Sequence, residues 1–184
     1  MYQSITERYI TASNATSLVV DTDSIRGNVD VLIAAGWSKS SMGKSLLRLV
    51  SEFDAAEKRR GGMRQILADA KTGGAKNLLG QLRSLEPSIL GVEIHARNCG
   101  IESPREKSIA VVLHCLDATC MACNGQKFRR IPNTPALSER ACTCCRGRGV
   151  VSIPFADDGR MLAAYIQDCM NSAKESYKKR LHRV

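Results

Sequence analysis

The sequence predicts a mainly α-helical protein: a helical domain with a helix-turn-helix-like corner, an inserted four-cysteine finger or ribbon, and a C-terminal helix. Three observations carry that expectation. Of 184 residues, 43% are hydrophobic but only 4% aromatic, so a core must be assembled from Leu, Ile, Val, Ala and Met, a mixture that favours helix. Apolar residues recur at i, i+3 and i+4 in most segments between glycines and prolines. Finally, Cys120-Met-Ala-Cys123 and Cys142-Thr-Cys144-Cys145 stand 18 residues apart, and each pair is followed two positions later by glycine.

In chain order, residues 1–20 are set apart as an N-terminal polar segment: Met1 to Ser17 carries Glu7 and Arg8 and has no apolar run of the kind a signal peptide needs. Residues 21–117 form the helical domain. Its first helix has Asp23 or Ser24 as cap and Ile25, Val29, Leu32 and Ile33 as its apolar face, with Val31 alongside; Gly36 ends it. Ser38 or Ser40 caps the next, in which Met42, Leu46, Leu49 and Phe53 recur at helical spacing beside Val50. Small residues, a turn glycine and a serine-capped second helix give residues 31–45 the cadence of a helix-turn-helix, which would turn Lys39, Ser40, Ser41, Lys44 and Arg48 towards DNA. An ordinary corner between two helices needs the same glycine and cap, so both readings stand. Gly43-Lys44-Ser45 imitates a phosphate-binding loop, but that motif requires glycine at position 38, where Ser38 stands.

Glycines at 61–62, 73–74 and 80 divide the middle of the chain into short helices, Met63 to Lys71 and Ala75 to Leu85, before Pro87 breaks the pattern. Lys58, Arg59, Arg60 and Arg64 read as a solvated helix end or a phosphate contact, the former slightly ahead. Ser103-Pro104-Arg105-Glu106 is a helix start, with Ser as cap, Pro at the first helical position and Glu at the third. The helix that follows, to about Asp117, presents Ile109, Val112, Leu113 and Leu116. Residues 118–153 are the finger, closed by a short strand over Val150 to Ile153. In the last unit, 154–184, a helix from about Asp157 to Leu181 carries Met161, Leu162, Tyr165, Ile166, Cys169 and Met170 on its apolar side and ends in a solvated basic tail.

The spacing C-x2-C with a second C-x2-C assigns Cys120, Cys123, Cys142 and Cys145 as ligands of one structural zinc ion, each pair spanning one edge of a tetrahedron. Glycines at these turns permit the positive φ that aims backbone N–H groups at the thiolates. The second knuckle has a further glycine at 149; the first has Lys127 in the equivalent place. Disulfides lack a supporting compartment, and a reducing cytoplasm would leave the other four cysteines as thiols. Among them Cys144, inside the second knuckle, is a competing ligand, whereas Cys99, Cys115 and Cys169 read as small buried hydrophobes. Net charge is +9. Six of the cations, Lys127, Arg129, Arg130, Arg140, Arg146 and Arg148, face one acid, Glu139, within the finger. Four thiolates on a zinc ion carry a formal −2, which six cations exceed, so nucleic-acid phosphate is their second use. On charge and placement the DNA contacts are Lys127, Arg129, Arg130, Arg146 and Arg148, with Lys39 and Lys44 of the corner. His95, His114 and His182 form no nucleophile–base pattern, so no enzyme is expected. No stretch approaches the ~20 apolar residues of a membrane span.

The segment from Asp30 to Gly36, followed after about 70 residues by a helix that enters a paired C-x2-C-x-G finger with a basic loop, resembles the Q antitermination proteins of lambdoid phages. That resemblance covers most of the chain in order and is strongest at the finger and the corner. It implies a non-catalytic protein of the bacterial host cytoplasm that binds a double-stranded DNA element within a phage late promoter. Loaded there onto paused bacterial RNA polymerase, it makes the enzyme resist pauses and terminators. The resemblance also carries over the four zinc ligands, but places neither the DNA nor the polymerase contacts. Two other classes remain open: a zinc-containing DNA-binding transcription regulator, and a zinc-ribbon chaperone or adaptor. DnaJ-type chaperones share the C-x2-C-x-G-x-G unit, but four such units bind two ions there, and no J-domain His-Pro-Asp tripeptide occurs here.

Overall fold

The two longest amphipathic runs, residues 41–60 and 156–181, become the helices that hold the body together. In this computed structural model, residues 4–15, 28–36, 41–60, 62–69, 82–131, 134 and 136–181 are described. They form α1 (Ile5–Ser13), α2 (Asn28–Gly36), α3 (Ser41–Arg60), α4 (Met63–Asp69), α5 (Leu85–Asn98), α6 (Pro104–Leu116), strands β1 (Phe128–Arg130) and β2 (Leu137–Ala141), and α7 (Ala156–Leu181). Among the described residues the protein is mainly helical, as its composition predicts, with one small antiparallel sheet.

Helices α3 and α7 each serve two cores. Leu46 and Leu49 of α3 join Met63, Leu67, Ile89, Val92, Val112, Leu113, Leu162 and Ile166 in the larger one. Leu47 of α3 turns the other way, into a smaller core with Tyr9, Val31, Ala34, Ala35, Ala173, Tyr177 and Leu181. Each wholly buried leucine contributes about 2 kcal/mol relative to exposure. Along α7 the buried residues Leu162, Ile166, Ala173, Tyr177 and Leu181 keep helical spacing over its whole length, so the end expected to lie beyond the core is anchored by Tyr177 and Leu181. Lys178 and Lys179, on its other face, are exposed, with Lys178 paired to Glu175 at 2.7 Å.

Other expectations are corrected. The polar N-terminal segment contains α1, closed by a reciprocal capping box: Glu7 N donates to Ser4 Oγ at 3.2 Å and Ser4 N donates to Glu7 Oε2 at 2.7 Å. Its buried pair, Tyr9 and Ala12, lies on one face of the helix. In α2 the buried residues are Val31, Ala34 and Ala35, while Ile33 is exposed, because the helix packs small residues against α1 and α7. The caps Asp23, Ser24, Ser38 and Ser40, the face residue Ile25 and most of the expected 75–85 helix lie outside the described residues. Pro87 does not end a helix; it sits in the first turn of α5, where its missing N–H is one of the donors a helix start leaves unpaired. Glu52 of α3 fixes that start, accepting from Ser84 N at 2.9 Å and Ser84 Oγ at 3.0 Å.

Before α6, Ser103 takes a left-handed φ of 50° and makes no capping bond. Arg105 holds the corner instead, reaching Glu86 at 2.6 Å and the buried Glu93 at 3.0 Å. Helix α4 begins as expected at Met63, whose N–H donates to Glu57 at 2.8 Å after Gly62 turns the chain at φ +71°. Of the basic cluster around it, Lys58 pairs with Asp54 at 2.8 Å and Arg64 with Asp117 at 3.2 Å, while the side chains of Arg59 and Arg60 lie outside the description. Val150 makes one bridge, to Thr119, rather than starting a strand. Cys99, which caps the end of α5, and Cys115 are exposed, so neither is the small buried hydrophobe expected; Cys169 comes nearest, half-buried against the larger core.

Two glycines predict opposite outcomes. At Gly159 in α7 an added Cβ would lie 1.7 Å from Pro154 O, a backbone atom, so Gly159→Ala should cost about 2–3 kcal/mol. At Gly91 the obstacle is Met42 Sδ at 2.3 Å, the end of a flexible side chain, and the ~1 kcal/mol gain in helix propensity works against it. Urea unfolding should therefore show Gly159→Ala far less stable and Gly91→Ala near the parent.

Candidate metal centre

Between α6 and α7 the chain leaves the body and returns. The exit is clamped: Asp117 Oδ1 accepts from Thr119 N at 2.9 Å, Val151 N donates to Ala118 O at 2.8 Å, and Thr119 bridges Val150. Within this stem Cys120, Cys123, Cys142 and Cys145 are all buried, and their sulfurs lie within 4.8 Å of one another. Cys120 Sγ is 4.0 Å from Cys142 Sγ, and Cys123 Sγ is 3.7 Å from Cys145 Sγ. Those are the edges of a tetrahedron whose centre lies ~2.3 Å from each sulfur, and about twice the length of a disulfide bond. The four cysteines could thus hold one metal ion, as their spacing predicts. Cys144, considered as a competing ligand, is exposed and outside this group.

The knuckles are related by an approximate twofold in their hydrogen bonds. Gly125 N donates to Cys120 O and Gly147 N to Cys142 O, both at 3.2 Å. The arms then cross: Cys120 N donates to Gly149 O at 3.0 Å, and Cys142 N to Lys127 O at 2.8 Å. Three left-handed residues recur in register, Asn124, Gly125 and Lys127 against Arg146, Gly147 and Gly149. Lys127, standing where the repeat would have glycine, keeps the glycine conformation at φ 71°. Only one of the two related positions has room for a side chain: a Cβ on Gly149 would lie 2.7 Å from Gly125 O and 3.2 Å from Lys127 Cγ.

Electrostatics differ between the knuckles. Burial pushes the Cys120 thiol up to about 12. Burial also pushes Cys145 upward, but Gly149 N, donating to its Sγ at 3.2 Å, and the neighbouring thiols outweigh it and bring the group down to about 7. Thiols must shed their protons to bind a metal ion, so the affinity of such a group for one would rise with pH and fall on acidification.

Beyond the cysteines the finger is a two-stranded ribbon, β1 paired antiparallel with β2 through Phe128 and Ala141 and through Arg130 and Leu137, with an irregularity between. Neither strand appears among the sequence expectations. The ribbon is largely exposed, and Phe128, Ile131 and Leu137 are each about 40% accessible. Of the basic candidates, Lys127, Arg129, Arg146 and Arg148 are exposed on the finger. Arg129 donates to Thr143 Oγ1 at 2.9 Å, and Arg148 donates to Cys145 O at 3.3 Å and to Ser152 Oγ at 2.6 Å. Among the described residues no finger cation pairs with a carboxylate. Arg140 joins them on β2, and Arg130 lies on β1 with its side chain outside the description. Lys44 belongs to the helical body, where its Nζ donates to Gly36 O at 3.2 Å; Lys39 lies outside the described residues.

No protein-family model, no curated protein and no solved structure matches the chain. No helix among the described residues is long and apolar enough to cross a membrane.

Elemental analysis of protein purified without chelator should give one metal ion per chain. Joint Cys123→Ser and Cys142→Ser substitution should abolish it, and Cys144→Ser should leave it in place. Relief of the left-handed lysine predicts that Lys127→Gly stabilises the metal-loaded finger by roughly 0.5–1 kcal/mol. Gly149→Ala should weaken metal retention against a competing chelator by more than about tenfold, since strain and a backbone clash act together.

Proposed function

We propose that the ion is zinc and that the chain is a phage late-gene transcription antiterminator of the Q type, acting on DNA and on bacterial RNA polymerase without catalysing a reaction. The observation that carries this reading is the contrast in charge pairing. On the helical body Lys58, Arg64, Arg97, Arg105 and Lys107 each meet a carboxylate, whereas the exposed cations of the finger, among the described residues, meet none. A buried group of four cysteines is the donor set of a structural zinc site, and a zinc tetrathiolate absorbs only two positive charges, leaving a surplus suited to phosphate. The twofold pair of C-x2-C-x-G knuckles, entered from a helix, is also the feature on which the resemblance to the Q proteins rests most firmly.

In this reading zinc makes the finger rigid, and Lys127, Arg129, Arg130, Arg146 and Arg148 contact the DNA backbone. The corner between α2 and α3 is the second element, with Lys39 and Lys44 as its contacts in a helix-turn-helix arrangement. Binding to a promoter element would bring the protein to polymerase paused close by, and the loaded protein would then travel with the enzyme in the host cytoplasm.

Each phosphate contact removed from the finger should shrink the salt slope of DNA affinity by about one unit and weaken all sequences alike. Charge reversal at Arg129 and Arg146 that leaves DNA affinity unchanged in a metal-loaded protein would move the surface elsewhere. Terminator read-through with purified polymerase, on templates with the promoter element intact or scrambled, tests the larger reading. Limiting protein should favour the intact template. DNA binding without read-through at any concentration would favour a zinc-containing DNA-binding regulator instead.

A further inference from the structure

Between residues 118 and 153 the chain has a single aromatic side chain, Phe128. It opens β1 and is 41% accessible. Packing does not account for it there. Phe128 belongs to none of the buried clusters, and its cross-strand partner is Ala141, a small residue that is itself exposed. Phe155 is as open to solvent but has Lys107 Nζ over its ring at 6.0 Å. Among the described residues Phe128 has no ring or cation contact of that kind.

Cations adjoin it on both strands. Lys127 and Arg129 flank it in sequence, and Arg140 precedes its partner Ala141; all three are exposed, and among the described residues none pairs with a carboxylate. Alternation along β1 puts Phe128 and Arg129 on opposite sides of a ribbon whose sides are both largely uncovered. An open aromatic ring beside cations that can follow a phosphate backbone is the make-up of a surface for unpaired nucleic acid, where a base stacks on the ring while the charges meet phosphate. A duplex engages the charges alone, because its base faces are already stacked on one another.

We propose that the ribbon binds single-stranded DNA, with an unpaired base stacked on Phe128 and the adjoining phosphates met by Lys127, Arg129 and Arg140. This rests on the reading of the finger as a DNA surface and adds to it the form of the strand and the residue that detects it. On a duplex the cations act alone; on a single strand the ring acts with them. A protein partner is disfavoured because the centre of a protein interface is depleted in charge, whereas cations stand directly before and after this ring. DNA is preferred to RNA because the hydroxyls of Ser138, Thr143 and Ser152 each already hold a protein partner, and a ribose 2′-hydroxyl is the group by which a protein tells the two apart.

Fluorescence anisotropy of the full metal-loaded chain with a thymidine 15-mer, a mixed-sequence 15-base-pair duplex and a uridine 15-mer tests the assignment. Phe128→Ala should weaken the thymidine strand at least about fivefold, change duplex affinity less than about twofold and leave metal content unchanged. Phe128→Tyr should restore single-strand binding, and Phe128→Leu, which keeps apolar bulk without an aromatic face, should not. A thymidine strand carrying one 5-iododeoxyuridine should photocrosslink to Phe128. The uridine strand should bind more weakly than the thymidine strand. Equal loss on duplex and single strand with Phe128→Ala would overturn the proposal in favour of a wedge inserted into the duplex, and equal binding of the uridine strand would overturn the choice of DNA. Single-strand affinity unchanged by Phe128→Ala, or restored by Leu as well as by Tyr, would overturn stacking while leaving the finger's duplex binding intact. Absence of binding by every oligonucleotide would overturn both this proposal and the DNA reading beneath it.

Discussion

The finger rests on one constraint: four sulfurs must converge on a point while the two strands that carry them run through left-handed turns. A C-x2-C pair satisfies that locally, but two pairs must also be held face to face. The crossed bonds from Cys120 N to Gly149 O and from Cys142 N to Lys127 O do this by making each knuckle's exit the other's entrance. Symmetry then breaks where it must. The backbone of Gly125 passes so close to position 149 that it excludes a side chain there, whereas position 127 carries a lysine. A finger this small, with a few exposed hydrophobes, has little core of its own, and a two-stranded ribbon alone is marginal in water. A metal ion held by the four cysteines would supply what packing does not.

What the metal centre cannot supply is position, and the body gives it that. The finger is inserted between α6 and α7, which pack against each other, so its two ends are fixed side by side by the larger core. Asp117 concentrates the junction, accepting from Thr119 N and pairing with Arg64 of α4. On the return, Lys107 of α6 pairs with Asp158 of α7 at 2.7 Å, and Gly159 permits the close pass of Pro154. Loss of metal should accordingly unfold the finger while leaving a helical body whose cores contain none of its residues.

The metal ligands are legible in the sequence because thiolate geometry restricts both residue type and spacing; few other roles fit two C-x2-C-x-G units. Helices α3, α4, α6 and α7 are legible from the 3.6-residue period. Helix α1 is hidden because its buried face, Tyr9 and Ala12, is short and its polar residues cap it. Helix α5 is hidden because Pro87 reads as a breaker although the first turn tolerates it. In the ribbon the alternation is too brief to register, and with little of it buried no inner side imposes the period of two that marks a strand. Ser103 shows the reverse failure: a sequence suited to a cap does not make one, because Arg105 secures the helix start through Glu86 and Glu93.

Cations placed by sequence fall into two groups that a charge count cannot separate. In the body Lys58, Arg64, Arg97, Arg105 and Lys107 lie on helices that also carry acids at i+4 or on a neighbour, so their pairing is a by-product of helical packing, although Lys44 and Arg83 make no ion pair among the described residues. Among the described residues the finger has no helix, and its strands are too short to bring its single acid, Glu139, opposite every arginine, so the finger cations described there meet no carboxylate. Arg129 and Arg148 are held by Thr143, Ser152 and the Cys145 carbonyl, which orient a guanidinium without neutralising it. Orientation without neutralisation reduces the entropy lost when an anion is later bound.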